Sequence, residues 1–310
     1  MIRVLFGARP EQWQEWAPAL AAAFAEKGLA VELLAAPDGG RIDYLLYSPH
    51  GPWQDFSALP GLKAVLSLWA GVEKVVGNPT LEVPLTRMVD PGLVEGMVEY
   101  VVGHVLRYHL GMDAHLCRQA PEWRQELVPP LAHDRSVGIL GLGELGRAAA
   151  EALARLHFRV TGWSRRPHDL PGIRCLSGDD GLAETLEAAE ILVLLLPLTP
   201  QTENLLDAAA LARLPKGARI INPGRGPLID DAALLAALEA GKVAHATLDV
   251  FRIEPLPPDH PFWHHPRVTV TPHIAAETRP ASAARVVAEN LRRGEAGEPL
   301  LHLVDRRAGY

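Results

Sequence analysis

The stretch Ser136–Arg147 constrains the chain more than any other. Val137 to Leu140 is an apolar run of strand length, and Glu144 to about Leu156 reads as a helix. Between them Gly141, Gly143 and Gly146 fall as G-x-G-x-x-G, with Leu142, Glu144 and Leu145 completing the loop. In a dinucleotide site each glycine has its own task. Gly141 permits the tight turn out of the strand, Gly143 lets backbone approach a pyrophosphate, and Gly146 lets the helix lie close on the strand. The phosphates then meet the helix N-terminus, where free N–H groups and the helix dipole favour negative charge. Ordinary strand-to-helix turns can carry the same glycines, so the context decides. Phe158–Trp163 reads as the next strand. The result is a β-α-β unit of about 30 residues, the size such a site requires.

The rest of the chain extends this pattern in both directions. A length of 310 residues allows two domains. Before the glycine loop, Ile2–Phe6, Val31–Ala35, Tyr44–Tyr47 and Ala64–Leu68 read as strands, with a helix over Glu11–Lys27. Pro79–Pro91 reads as irregular, Gly92 to about Leu110 as a long helix, and 113–133 as an excursion from the body. After it, strands are expected at Ile191–Leu196, Ala218–Asn222, His245–Val250 and Val268–Thr271. Helices are expected at Gly181–Ala188, Asp207–Leu214, Asp230–Ala240 and Ala276–Arg293. Strand and helix alternate throughout, so the fold class is α/β with two doubly wound parallel sheets. The tail Leu300–Tyr310 is expected to cross back to the first domain. That gives a substrate domain of 1–98 plus 276–310 and an inserted dinucleotide-binding domain of 99–275.

Composition narrows the function classes. The net charge of −7 argues against a nucleic-acid surface. No apolar run reaches the ~18 residues of a membrane span, and Met1–Phe6 reads as a strand rather than a signal peptide. The two cysteines, Cys117 and Cys175, form neither a disulfide framework nor a metal-ligand spacing. That pattern suits a cytoplasmic enzyme without a metal.

Three polar residues fall just beyond the carboxyl ends of the expected strands, where ligands of open α/β sheets bind. Arg225 follows Ala218–Asn222, Glu254 follows His245–Val250, and His273 follows Val268–Thr271. Reduction of a 2-keto acid needs a hydride and a proton for the carbonyl oxygen. Imidazolium is the natural donor near neutral pH. A neighbouring carboxylate favours its charged form, and a guanidinium can clamp a substrate carboxylate at two points and polarise the carbonyl. His273, Glu254 and Arg225 suit these three roles. With 13 histidines in the chain, any one alone would prove nothing. In the first domain, Trp69-Ala70-Gly71 follows a strand, and its small residues would let backbone N–H groups face an anion. An ordinary turn fits that stretch equally well.

Cofactor choice is written at the end of the second strand of the β-α-β unit. An NAD site places an acid about 20 residues beyond the glycines, for the ribose 2′-OH. Here the chain reads Gly162-Trp163-Ser164-Arg165-Arg166-Pro167, without an acid. Two guanidiniums and the Ser164 hydroxyl can instead meet a 2′-phosphate. NADP(H) is therefore the preferred cofactor, with NAD(H) possible.

The motifs together resemble the D-isomer-specific 2-hydroxyacid dehydrogenases. The resemblance rests on Gly141–Gly146, Leu195-Leu-Pro-Leu-Thr-Pro200 with Thr202, Asn222-Pro-Gly-Arg-Gly226, Leu248-Asp-Val-Phe251 with Glu254-Pro-Leu256, and Thr271-Pro-His-Ile-Ala275. It spans nearly the whole chain. Within the family the chain is most similar to the bacterial glyoxylate/hydroxypyruvate reductases of the A type, including the ending Val304–Tyr310. The resemblance implies a flavodoxin-like substrate domain, a Rossmann domain, and Arg225, Glu254 and His273 as the catalytic set. It implies that Leu196, Pro197, Thr202, Asn222, Pro223 and Gly224 line the cofactor and that Asp249 meets the nicotinamide carboxamide. It also implies that the amides of Trp69, Ala70 and Gly71 hold the substrate carboxylate, beside Arg225 and His273. The helix from Gly92 and the segment after it resemble the family's dimer arm, which implies a homodimer. Trp69 stands where the family often has a small residue, so an indole there would narrow the substrate pocket or close it. A nicotinamide-sensing corepressor on the same fold, or a dehydrogenase with another substrate, would carry the same motifs.

Overall fold

The structure is a computed structural model that describes residues 1–116 and 128–310. Cys117 and most of the excursion expected over 113–133 lie outside the described residues. The chain divides into two compact units, Met1–Leu93 with Glu277–Tyr310, and Val94–Ala276.

The first unit is built on a five-stranded parallel sheet. Its strands are β1 (Ile2–Gly7), β2 (Val31–Leu34), β3 (Tyr44–Tyr47), β4 (Ala64–Ser67) and β5 (Leu85–Thr86), in the order β2-β1-β3-β4-β5. This is the flavodoxin-like order. β3 and β4 are buried along their whole length, as central parallel strands are. α1 (Trp13–Glu26) packs against α8 (Pro280–Ala296) through Trp16, Leu20 and Phe24 on one side and Ala284, Val287 and Leu291 on the other. The tail is tied down beside β5: Val304 N–H donates to Leu85 O at 2.9 Å, and Arg87 N–H donates to His302 O at 3.0 Å.

The second unit carries a seven-stranded parallel sheet. Its strands are β6 (Ser136–Leu140), β7 (Arg159–Trp163), β8 (Arg174–Leu176), β9 (Ile191–Leu194), β10 (Ala218–Asn222), β11 (Val243–Leu248) and β12 (Val268–Val270). The order β12-β11-β10-β9-β6-β7-β8 reverses direction between β6 and β9, the switch point at which open α/β sheets form a ligand crevice. The helices are α2 (Pro91–His109), α3 (Met112–Leu116), α4 (Glu144–Arg155), α5 (Gly178–Ala188), α6 (Ala208–Arg213) and α7 (Asp231–Glu239), with the first turn of α2 belonging to the other unit. Asp207 and Asp230 cap α6 and α7, accepting from Ala210 N–H at 2.8 Å and Ala233 N–H at 2.9 Å.

The structure corrects several sequence expectations. β5 lies inside the stretch expected to be irregular, and β8 was not expected. Both are edge strands of two or three residues, too short for a period-two pattern to register. α5 begins at Gly178, three residues before the expected start. α8 begins at Pro280 rather than Ala276 because proline disfavours helical backbone in the residue before it and suits the first helical position. The units divide at Leu93/Val94 and Ala276/Glu277, against the expected 98/99 and 275/276.

One face of α2 holds polar groups against β11 and β12. Tyr108 OH lies 2.6 Å from Thr247 Oγ1, Arg107 donates to Thr269 Oγ1 at 2.9 Å, and His245 Nε2 lies 2.9 Å from the same hydroxyl. Burial, aided by the Arg107 charge, pushes His245 down to about 4. An unfolded imidazole takes up its proton near 6.5. Between those values the unfolded chain holds more protons, so stability is lost as pH falls from about 6.5 to about 4. At its steepest this one group costs about 1.4 kcal/mol per pH unit. His245→Gln is expected to flatten the fall of Tm across that window. An unchanged slope would remove His245 as its source.

Candidate functional site

The glycine loop leaves β6 at Gly141, whose φ of +106° is a backbone setting suited to glycine. Its N–H donates to Trp163 O at 2.8 Å, tying the loop to the end of β7. A Cβ at Gly146 would run into the carbonyl oxygen of Gly141, so only glycine lets α4 start this close to the strand. At Gly143, by contrast, nothing lies within 4 Å of where a Cβ would be. Gly143 is the N-cap of α4 and supplies no side-chain cap. The start of α4 thus carries no side-chain cap, and the uncapped N-terminus of a helix is where a dinucleotide's pyrophosphate binds.

At the end of β7, Trp163 Nε1 donates to Gly178 O at 2.8 Å. Ser164 is buried, and its hydroxyl donates to Arg166 O at 2.7 Å. Ser164 thus shapes the turn that presents Arg165 and Arg166, both exposed, instead of offering its proton outward. Across the switch point, Thr202 organises the loop after β9. Its hydroxyl donates to Pro197 O at 2.7 Å and accepts from Thr199 N–H at 2.8 Å, while Leu196 is buried beside it.

The three candidate catalytic residues lie on neighbouring strand ends of this unit. Buried Asn222 closes the Asn222–Arg225 turn through Pro223. Its Oδ1 accepts from Gly224 N–H at 3.1 Å and its Nδ2 donates to Arg225 O at 3.0 Å. Arg225 Nη1 donates to Gly224 O at 2.7 Å. The backbone at Gly226 lies directly on Phe251, where a side chain would collide, so the Arg225 turn rests on the loop that carries Glu254. Glu254 Oε1 accepts from Phe251 N–H at 2.9 Å, and its Oε2 lies 2.8 Å from His273 Nδ1.

That pair sets the local electrostatics. Burial raises the Glu254 carboxyl, but the His273 and Phe251 hydrogen bonds and the His273 and Arg225 charges outweigh it and hold the group below the usual range. An ionised carboxylate only accepts. The hydrogen-bond network therefore assigns a proton to Nδ1. His273 has a φ of +55°, uncommon for a residue with a side chain.

Asp249 is the strand-end acid expected to meet a cofactor carboxamide. It is 0% exposed, and its carboxylate accepts from Thr271 Oγ1 at 2.6 Å, Ile274 N–H at 2.9 Å and Ala275 N–H at 2.9 Å. A carboxylate so enclosed braces the loop around His273. Sequence reading named Thr271 only as part of a motif and missed both its bond to Asp249 and its second partner, Tyr100 OH at 2.7 Å. Tyr100 carries no signal beyond its place on α2.

The Trp69–Gly71 turn belongs to the other unit. Trp69 N–H donates to Ser67 Oγ at 3.1 Å, so it is not an open donor for an anion. The Trp69 ring stands edge-on to His50, with centroids 5.0 Å apart. Among the described residues, no cluster of His, Cys, Asp and Glu could hold a metal, and no helix is long and apolar enough to cross a membrane.

Comparison with known proteins agrees with this arrangement. The sequence profile of the D-isomer specific 2-hydroxyacid dehydrogenase, NAD binding domain, matches residues 102–275. Glyoxylate/hydroxypyruvate reductase A of Yersinia enterocolitica is 42% identical over 277 residues, covering 86% of this chain and 88% of that relative. A D-isomer specific 2-hydroxyacid dehydrogenase from Xanthobacter autotrophicus Py2, solved in complex with NADPH and MES, is 42% identical with a TM-score of 0.89 over 99% of each chain. The NADPH-dependent glyoxylate/hydroxypyruvate reductase of Sinorhizobium meliloti, solved with NADP and sulfate, is 38% identical with a TM-score of 0.88 over the full length of both. Two parallel α/β units, a reversed strand order at the glycine loop and these matches lead to one assignment: the chain belongs to the D-isomer specific 2-hydroxyacid dehydrogenase family.

Proposed function

We propose that the chain reduces a small 2-keto acid, of the glyoxylate or hydroxypyruvate kind, to the D-2-hydroxy acid with NADPH. The observation that carries this reading is the 2.8 Å pair of Glu254 Oε2 and His273 Nδ1 beyond the ends of β11 and β12. When bound, the cofactor supplies the hydride. His273 supplies the proton: Nε2 gives it to the carbonyl oxygen, and Glu254 stabilises the imidazolium beforehand and keeps the ring oriented. Arg225 binds the substrate carboxylate and polarises the carbonyl, a two-point task suited to guanidinium. The amides of Ala70 and Gly71 are proposed as an anion-binding turn of the first unit. The uncapped helix start at Gly143 and the acid-free turn bearing Arg165 and Arg166 support NADPH, as do the NADPH and NADP complexes of the relatives. Steady-state turnover of glyoxylate, hydroxypyruvate, pyruvate and a bulkier 2-keto acid with NADPH tests the proposal. Turnover of the first two is expected to exceed that of the bulky one. Turnover of none would reject it.

The chain is further proposed to work as a homodimer in the cytoplasm. Leu110, Met112, Val128 and Leu131 are exposed apolar residues at the end of α2 and after it, where the family's dimer arm lies by resemblance. Light scattering at micromolar concentration is expected to give twice the chain mass, and a monomer mass contradicts it. Cys175 is a free thiol, in keeping with a reducing compartment, which cell fractionation checks.

A further inference from the structure

A hydrogen-bonded chain of side chains, half-buried at Tyr100 and Thr271 and fully buried at Asp249, runs from α2 to the loop of His273. Its inner end is the Asp249 carboxylate, on which Thr271 Oγ1, Ile274 N–H and Ala275 N–H converge. Thr271 has one hydroxyl proton, and it is committed to Asp249 at 2.6 Å. In the 2.7 Å contact between Tyr100 OH and Thr271 Oγ1, Tyr100 is therefore the donor. Burial pushes the Tyr100 phenol well above its usual range, so it keeps the proton it donates. The order of donation is Tyr100 to Thr271 to Asp249.

The residues bonded to Asp249 are those that flank His273. The His273 N–H itself donates to the Asp249 main-chain oxygen at 2.8 Å. A non-glycine residue at φ +55° persists only where its surroundings over-determine it. Here the main chain and side chain of Asp249 fix both sides of the strained residue, and Thr271 and Tyr100 fix Asp249. Hydrogen bonds in series polarise one another in a buried setting, so loss of the outermost donor weakens the inner ones.

We propose that Tyr100 is a positioning residue for the proton donor: through Thr271 and Asp249 it holds the loop that sets His273 against Glu254. This rests on His273 being the acid of the reaction. It gives α2 a part in catalysis beyond packing.

The test compares Tyr100→Phe, Thr271→Val and the double variant with the wild type. Each single change keeps the side-chain volume and removes a hydroxyl. The kcat for hydroxypyruvate is expected to fall on the order of tenfold in each, as a slightly misplaced acid would cause. The NADPH Kd from fluorescence titration should stay within about twofold, which also shows that the variants fold. The double variant should be no worse than the worse single one, because both break one chain. In the cofactor-free protein, the downfield Nδ1 proton resonance of His273 should shift or broaden in Tyr100→Phe. Wild-type kcat in Tyr100→Phe, an unmoved resonance, or multiplying losses in the double variant would overturn the inference while leaving the reductase reading intact. A wild type without 2-keto acid turnover would overturn both.

Discussion

His273→Ala is expected to lower kcat/KM for a 2-keto acid by about 10²–10⁴-fold, the usual cost of losing a positioned acid. NADPH binding should change little, because the glycine loop, the Arg165–Arg166 turn and the loop after β9 do not depend on the imidazole. The size of the effect follows from the geometry. Glu254 lies 2.8 Å from Nδ1, and its carboxylate is held below the usual range, so it keeps its charge through the neutral pH range in which the imidazolium is needed. Alanine leaves no group at that position to protonate the carbonyl oxygen. Steady-state rates together with a fluorescence titration of NADPH check this. Near-full activity in folded His273→Ala protein would remove His273 from the chemistry.

Replacing Arg165 and Arg166 together by Ala is expected to lower kcat/KM for NADPH on the order of 10²-fold while changing that for NADH little. Only NADPH carries the 2′-phosphate, so only its binding loses two charge-assisted partners. The turn that presents them is kept by the Ser164 hydroxyl bond to Arg166 O, which needs no arginine side chain. The measurement is kcat/KM for both cofactors in both proteins. Equal losses, or a wild type that prefers NADH, would contradict the assignment of this turn to the phosphate.

The legible parts of the fold and site share a physical reason. The glycine loop was readable because its backbone demands leave a residue type that little else requires in that spacing: a positive φ at Gly141 and carbonyl contact at Gly146. Arg225 and Glu254 were readable because they follow β10 and β11, parallel strands whose last three residues are buried, while His273 follows the short edge strand β12 and was readable through the Thr271–Ala275 motif. β5 and β8 were not readable because two or three edge residues show no periodicity. The start of α8 at Pro280 was not legible because residues 276–279 are of types that a helix also accepts, and only the backbone setting ahead of the proline separates them. The side-chain partners of the site were illegible for another reason. Tyr100 and Thr271 meet across 171 positions of sequence, and no local pattern records a contact made by the fold. Asp249 could be found as a strand-end acid, but its burial and its donors could not.

The most direct measurement is the configuration of the product. Purified protein is incubated with hydroxypyruvate and NADPH, NADPH consumption is followed, and the glycerate formed is resolved on a chiral phase. D-glycerate in step with NADPH oxidation is the expected result. L-glycerate, or no NADPH oxidation at all, would contradict the assignment of this site to D-specific 2-keto acid reduction.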